Sequence, residues 1–200
     1  MKKIAVFISG GGTDLQSLID SVHEQSGLIS LVVSSRGGAY GLERAKAVGI
    51  ETMVLPKSDY DSALLEELKK REVEWIVLAG FLKILSPEFI RHFPRHILNI
   101  HPSLIPAFSG PGFYGRRVHE AVYHAGVKWS GATVHFVSDI VDSGAILMQD
   151  VVPISEEDGP EEIARRVLEL EHRILPFAVK ACLEDRVFWQ GDRAFIREEV

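Results

Sequence analysis

Short apolar runs alternate with stretches of helical period along most of this chain. Ile4-Ala-Val-Phe-Ile8 is a compact apolar run that ends in Ser9-Gly10-Gly11-Gly12-Thr13-Asp14, after which Leu15, Leu18, Ile19 and Val22 recur at helical spacing. Leu28 to Ser34 reads as a second strand, a helix from about Tyr40 to Val48 is ended by Gly49, and Glu51 to Leu55 makes a third short strand. Ser62 to Arg71 predicts a surface helix whose Glu66, Glu67, Lys69 and Lys70 form a solvated face. Trp75 to Ala79 is wholly apolar, as a strand buried on both faces should be. It runs into Gly80 to Leu85, and Ser86-Pro87 is a helix start. Ile97, Leu98 and Ile100 mark a fifth strand, which Pro102 stops.

Farther on, Pro106 to Arg117 turns to Gly, Pro, Phe and Tyr, a loop with hinge-capable glycines, and a short helix follows from roughly Val118 to Ala125. Ser130 to Ser138 alternates Ala132, Val134 and Phe136 with Thr133, His135 and Val137, which predicts a strand with one wetter face. Asp139 to Gly144 is a turn into a strand from Ala145 to Ile154. The last long helix starts near Asp158-Gly159-Pro160, with Ile163, Val167, Leu170, Ile174, Phe177 and Ala181 along one stripe and Pro176 set to kink or divide it. Glu171 borders that stripe, so it either pairs with a neighbour or reaches a ligand. The tail from Arg186 suits a short strand pair.

This alternation predicts an α/β chain, doubly wound, with a mostly parallel central sheet and helices on both faces. Residues 1–200 read as one domain. In such sheets ligands bind beyond the carboxyl ends of the strands. The rule puts Gly10 to Asp14, Gly80 to Leu85 and Asn99 to His101 along one rim.

Composition narrows the function classes. The 46% apolar and 25% charged fractions are those of an ordinary globular protein, and a net charge of -6 argues against a general nucleic-acid or membrane-surface binder. No apolar run is long enough for a membrane span, and Ile4 to Ile8 is too short for the core of a signal peptide. The single cysteine, Cys182, has no internal partner, fits a cytoplasmic location, and reads as a small buried hydrophobe.

The glycine loop after the first strand offers backbone N–H groups and a helix N-terminus to an anion. Leu15 stands where a dinucleotide fingerprint needs its third glycine, no Gly-Lys of a P-loop follows, and the second strand closes on Ser34-Ser35-Arg36 without a ribose-binding acid. Hydride transfer is therefore disfavoured, leaving a monophosphate cradle at Gly11, Gly12 and Thr13, or merely a tight turn. No metal is expected: Pro94 separates His92 from His96, and His119 and His124 are wrongly spaced for one helix face. A serine nucleophile elbow is absent.

Asn99 and His101 are two apart, so on a strand their side chains leave the same face. An amide beside an imidazole there could hold a developing oxyanion, or could simply be a polar strand end feeding a loop. Asp142, in a glycine-flanked turn, could orient and charge the histidine. Together they suit attack of an amine on an activated acyl group, with no covalent intermediate required.

These residues carry a resemblance to the phosphoribosylglycinamide formyltransferase family, folate-dependent enzymes of purine biosynthesis. It rests on Ile8-Ser-Gly-Gly-Gly-Thr-Asp-Leu-Gln16, Gly41-Leu-Glu-Arg-Ala45, Val77-Leu-Ala-Gly-Phe-Leu-Lys-Ile-Leu-Ser86, Leu98-Asn-Ile-His-Pro-Ser-Leu104, Thr133-Val-His-Phe-Val137 with Asp142, and Glu171-His172. The resemblance implies a Rossmann-like formyltransferase fold, with residues 1–98 as a phosphate-binding half and 99–200 as a catalytic and folate-binding half. It implies formyl transfer from 10-formyltetrahydrofolate, as co-substrate, to glycinamide ribonucleotide, by a monomer or homodimer. Asn99, His101 and Asp142 would be the catalytic trio, supported by His135. Gly11, Gly12, Thr13, Asp14 and Glu171 would hold the ribonucleotide. Leu82, Lys83, Ile84 and Leu85, with Ser138, Asp139, Ile140 and Val141 and with Asn99 itself, would wall the folate pocket.

Departures from the family's pattern are local. Asp14 stands where that loop usually carries Asn, and an arginine often found after the third strand has no counterpart in Asp59-Tyr-Asp-Ser-Ala-Leu64, where Ala63 is nearest. Arg116 or Arg117, in a segment from Ser109 that is longer than in some relatives, is the candidate replacement. Three alternatives compete: a hydrolase of the same folate, a methionyl-tRNA formyltransferase, and a non-catalytic nucleotide-binding module. The first would carry an added N-terminal domain, against a first strand that starts at residue 4, and the second a basic C-terminal one. The third would leave Asn99, His101 and Asp142 unused.

Overall fold

In a computed structural model, residues 1–58 and 60–197 are described, so Asp59 of the segment noted above lies outside the described residues. The apolar runs form β1 (Lys3–Ile8), β2 (Leu28–Ser34), β3 (Thr52–Val54), β4 (Trp75–Leu78) and β5 (Ile97–His101). These five strands are parallel to one another, in the order β3-β2-β1-β4-β5. β6 (Trp129–Phe136) and β7 (Ile146–Pro153) complete a seven-stranded sheet as antiparallel additions. A separate hairpin, β8 (Val187–Gln190) with β9 (Arg193–Ile196), forms the expected strand pair.

Alternation along the strands divides the core between the two faces. Ile4, Val6 and Ile8 join α1 (Thr13–Ser21), α2 (Tyr40–Ala47), α5 (Arg116–Ala125) and α6 (Pro160–Leu183) on one side. Ala5 and Phe7 face α3 (Tyr60–Lys70) and α4 (Pro87–Arg91) on the other. The doubly wound reading therefore holds. The strand order reverses direction between β1 and β4, the switch point where such sheets open a crevice. Ser9, just past β1, is tied there to Ser35 past β2 (Oγ–Oγ 2.6 Å) and accepts the N–H of Leu82 at 2.8 Å.

Expectations for β6 and for Phe177 need correction, and of the two readings of Pro176 the structure excludes a division of the last helix. β6 has no wet face: Thr133 is buried under the chain after β5, and His135 is buried between Asn99 and Asp142. Thr133 donates to the Ser103 carbonyl at 2.6 Å and accepts the Ile105 N–H at 3.1 Å, so its polarity serves the protein rather than solvent. α6 runs undivided through Pro176, whose side chain is buried against the core. Phe177 leaves the apolar stripe and is 45% exposed beneath the Arg186 guanidinium, while Leu175, Ala178 and Val179 take the buried face. Among the described residues, no helix is long and apolar enough to cross a membrane.

Candidate active site

β5 and β6 build the centre. Their antiparallel register sets Asn99 opposite His135. His135 donates from Nδ1 to the Phe136 carbonyl at 2.9 Å, which leaves Nε2 as an acceptor for one amide N–H of Asn99 at 3.0 Å. The amide is thereby oriented, and its second N–H remains for a ligand. His101 donates from Nε2 to the carbonyl of Phe108 at 3.0 Å, which directs Nδ1 at Asp142 Oδ2, 3.6 Å away.

Asp142 comes from the turn between β6 and β7. Its backbone is left-handed (φ 54°), and Oδ2 accepts the Gly110 N–H at 2.8 Å. Oδ1 lies 3.7 Å from His135 Nε2. Burial pushes this carboxyl up, but the Gly110 N–H and the neighbouring His101 outweigh it, so the net shift is downward and the group is a carboxylate at neutral pH. For His101, burial is the largest influence and lowers its pKa against the opposing pull of Phe108 and Asp142. An oxyanion placed beside it would add to that pull.

Asn99, His101 and Asp142 meet on one cavity of about 520 Å³. The same cavity is lined by His135, by Leu82, Lys83, Ile84 and Leu85, and by Ser138, Asp139, Ile140 and Val141. Residues quoted from four separate stretches of sequence thus share one wall. Lys83 stands over the Tyr60 ring at 4.4 Å, and the Tyr60 hydroxyl donates to the Ile84 carbonyl at 3.2 Å. Gly110 to Gly115 closes another side, with Phe113 and Tyr114 as its bulky members. In sequence this segment reads as a loop, and its Gly-Pro-Gly-Phe-Tyr-Gly composition is the signal that it wraps something.

The glycine loop forms the neighbouring part of the rim. α1 begins after Gly12, which has φ 69° and supplies no side-chain cap, so the first-turn N–H groups are free for an anion. A Cβ at Gly12 would sit 2.7 Å from the Gly41 Cα, so only glycines let α2 approach this closely. Arg44 of α2 binds the Gly11 carbonyl through Nε (2.9 Å) and Gln16 through Nη1 (3.0 Å), and with Thr13 it lines a second cavity. Asp14 and Glu171 line neither cavity; both are buried where α1 meets α6. Arg116 is drawn instead to Glu120 and Glu161, and Arg117 stacks on Tyr114. Arg36 at the main cavity and Arg44 at the second are the cations beside these pockets that sequence reasoning overlooked. Among the described residues, no group of three or more His, Cys, Asp or Glu side chains could hold a metal.

Known proteins resemble this chain in sequence and in fold. Residues 2–179 match the family described as Formyl transferase. The phosphoribosylglycinamide formyltransferase of Haemophilus influenzae is 42% identical over 204 residues, covering 98% of this chain and 94% of that protein. The chloroplastic phosphoribosylglycinamide formyltransferase of Arabidopsis thaliana is 40% identical over 200 residues, covering 96% of this chain and 68% of that protein. Among solved structures, glycinamide ribonucleotide transformylase 1 from Symbiobacterium toebii superposes with a TM-score of 0.91 at 39% identity, covering 99% of this chain and 95% of that one.

Proposed function

The chain belongs to the formyl transferase family, and we infer that it transfers the formyl group of 10-formyltetrahydrofolate to the amine of glycinamide ribonucleotide, in purine biosynthesis. The products are N-formylglycinamide ribonucleotide and tetrahydrofolate. The observation that carries this reading is the convergence of Asn99, His101 and Asp142 on a cavity roomy enough for a pterin, beside an uncapped helix start suited to a phosphate.

Each residue has a physical role in that reaction. The amine attacks the formyl carbon, and the carbonyl oxygen becomes an oxyanion. The free N–H of Asn99 and the Nδ1–H of a protonated His101 stabilise it. Because Nε2–H of His101 stays on the Phe108 carbonyl, the imidazole presents only Nδ1 to the reaction. Asp142 favours the imidazolium and accepts, directly or through water, the proton that the attacking amine must lose. Collapse of the tetrahedral adduct breaks the bond to the folate N10, which takes up a proton. Holding both substrates on one rim supplies much of the acceleration.

The roles of the remaining residues follow the same placement. Leu82 to Leu85 and Ser138 to Val141 hold the pterin, while Gly11, Gly12 and Thr13, organised by Arg44, hold the phosphate. A monomer or homodimer is sufficient for this chemistry, since all three central residues come from one chain. A reducing compartment such as the cytoplasm suits the lone Cys182, whose thiol is buried and pushed up to about 12.

The test is release of tetrahydrofolate from 10-formyltetrahydrofolate by the purified protein, with and without glycinamide ribonucleotide. Release is expected only with the ribonucleotide. Release at the same rate without it would replace this reading with hydrolysis of the folate.

A further inference from the structure

Asp14 and Glu171 are the two buried acidic residues among the described residues, at 9% and 7% exposure. Asp14 follows the glycine loop in the first turn of α1; Glu171 lies on α6, which packs against α1 and brings it within reach of the Asp14 charge. Oδ1 of Asp14 is buried without a hydrogen-bond partner. Its nearest basic atom is Nε2 of His172, 3.7 Å away, which is likewise unpartnered.

The charged groups facing this pair do not neutralise it. His172 is held down by burial and then by the Arg44 guanidinium, with Glu169 pulling weakly the other way, so it is neutral at pH 7. Arg44, from α2, is engaged with Gly11 and Gln16. On α1, the Ser17 hydroxyl donates to the backbone carbonyl of Asp14 rather than to its carboxylate. Burial, and then the Asp14 charge, hold the Glu171 carboxyl well above the ordinary range, and burial raises Asp14 as well. Two carboxylates in such a site cannot both be ionised without great cost.

The loop beside them adds a second demand. The positive end of α1 favours one negative charge close by. A carboxylate at Asp14 and a phosphate on Gly11 to Thr13 would compete for it and repel each other. We propose that Asp14 and Glu171 share one proton across neutral pH, and that the pair takes up a further share of a proton from solvent when a phosphate monoester settles on the Gly11–Thr13 loop. This rests on the reading of that loop as the phosphate site of glycinamide ribonucleotide. It makes Asp14 and Glu171 positioning residues that link nucleotide affinity to pH. Because binding consumes protons, affinity falls as pH rises.

Two measurements test the linkage. Calorimetric titration with glycinamide ribonucleotide at pH 7.5, in buffers of different ionisation enthalpy, counts protons taken up per nucleotide. Wild type should exceed Asp14→Asn by about half a proton or more, since the amide mimics the neutral acid and cannot titrate. The nucleotide's own titrations cancel in that difference. Equal counts would overturn the proposal. Infrared spectra of the free protein at pH 7 should show a neutral carboxyl band in wild type that Glu171→Gln removes; no such band would overturn the shared proton. A band without any nucleotide binding would instead overturn the loop reading, and the linkage with it. Both variants are near-isosteric, and far-ultraviolet circular dichroism checks that they fold.

Discussion

Asp142 combines two constraints in one residue, a charge beside His101 and a left-handed backbone. Asparagine tolerates that backbone nearly as well and can still accept the Gly110 N–H through its amide oxygen. Asp142→Asn should therefore keep the melting temperature within a few degrees while turnover falls by roughly 10²–10⁴, the usual worth of a proton-transfer group. Asp142→Ala should lose turnover and also about 1 kcal/mol of stability, because alanine strains at positive φ. Steady-state rates and thermal melts of the pair separate the two constraints; near-normal turnover of the Asn variant would remove Asp142 from the mechanism. His119 gives a prediction of the opposite kind, in stability alone. It is buried on α5 with Nδ1 unpartnered, and burial, reinforced by His101, pushes it down to about 4. The unfolded chain protonates this imidazole below about pH 6.5 and the folded one does not until about 4, so the stability it allows is complete above pH 6.5 and lost as pH falls through that window. His119→Gln should cut the loss between pH 7 and pH 5 by about 2 kcal/mol, read from urea unfolding at the two values.

At the scale of elements, the turn between β6 and β7 carries more of the site than its sequence suggests. A Cβ on Gly144 would stand 1.7 Å from the carbonyl oxygen of Phe136, so the strands close tightly only around a glycine. Gly144→Ala must push the turn outward and carry Asp142 away from His101. It should lower turnover as Asp142→Asn does but, unlike that variant, melt several degrees lower. A normal melt with lost turnover would mean that the turn shifts freely. Elements of this kind also mark what was legible in the sequence. Asn99 and His101 could be paired because a strand repeats every two residues, and their edge of the sheet followed from the parallel order. Pattern alone could not say what covers a face: Thr133 and His135 alternate like solvent-facing residues, but the chain after β5 covers the first and Asn99 and Asp142 cover the second. Nor could it resolve the flank of a helical stripe, where Phe177 turned out exposed and Glu171 buried. Pro176 forfeits one backbone bond, a loss that packing of α6 against the core outweighs. Arg44 was visible only as part of a quoted motif; its role depends on the close approach of Gly12 and Gly41, a contact between elements distant in sequence.

For the whole molecule, the division into a phosphate half and a folate half is functional language, and the packing argues against two folding units. One apolar cluster contains Ile29 and Val32 of β2, Ala132 and Val134 of β6, and Val167 and Leu170 of α6. The boundary near residue 98 falls inside β5, which is hydrogen-bonded to β4 in the middle of the sheet. Opening either half would expose the inner face of the other, at roughly 25 cal/mol for each Å² of apolar surface. The substrates need the same continuity, because the phosphate loop and the catalytic strand are positioned by that one sheet and a small slip between them would separate amine from formyl group. Native-state hydrogen exchange reads this directly. The amides of Val32 in β2 and Val134 in β6 should open with the same free energy and the same denaturant dependence, those of global unfolding. If β2 exchanged through a separate, cheaper opening while β6 stayed closed, the halves would be distinct cooperative units, and alignment of the two substrates would depend on a joint that can move.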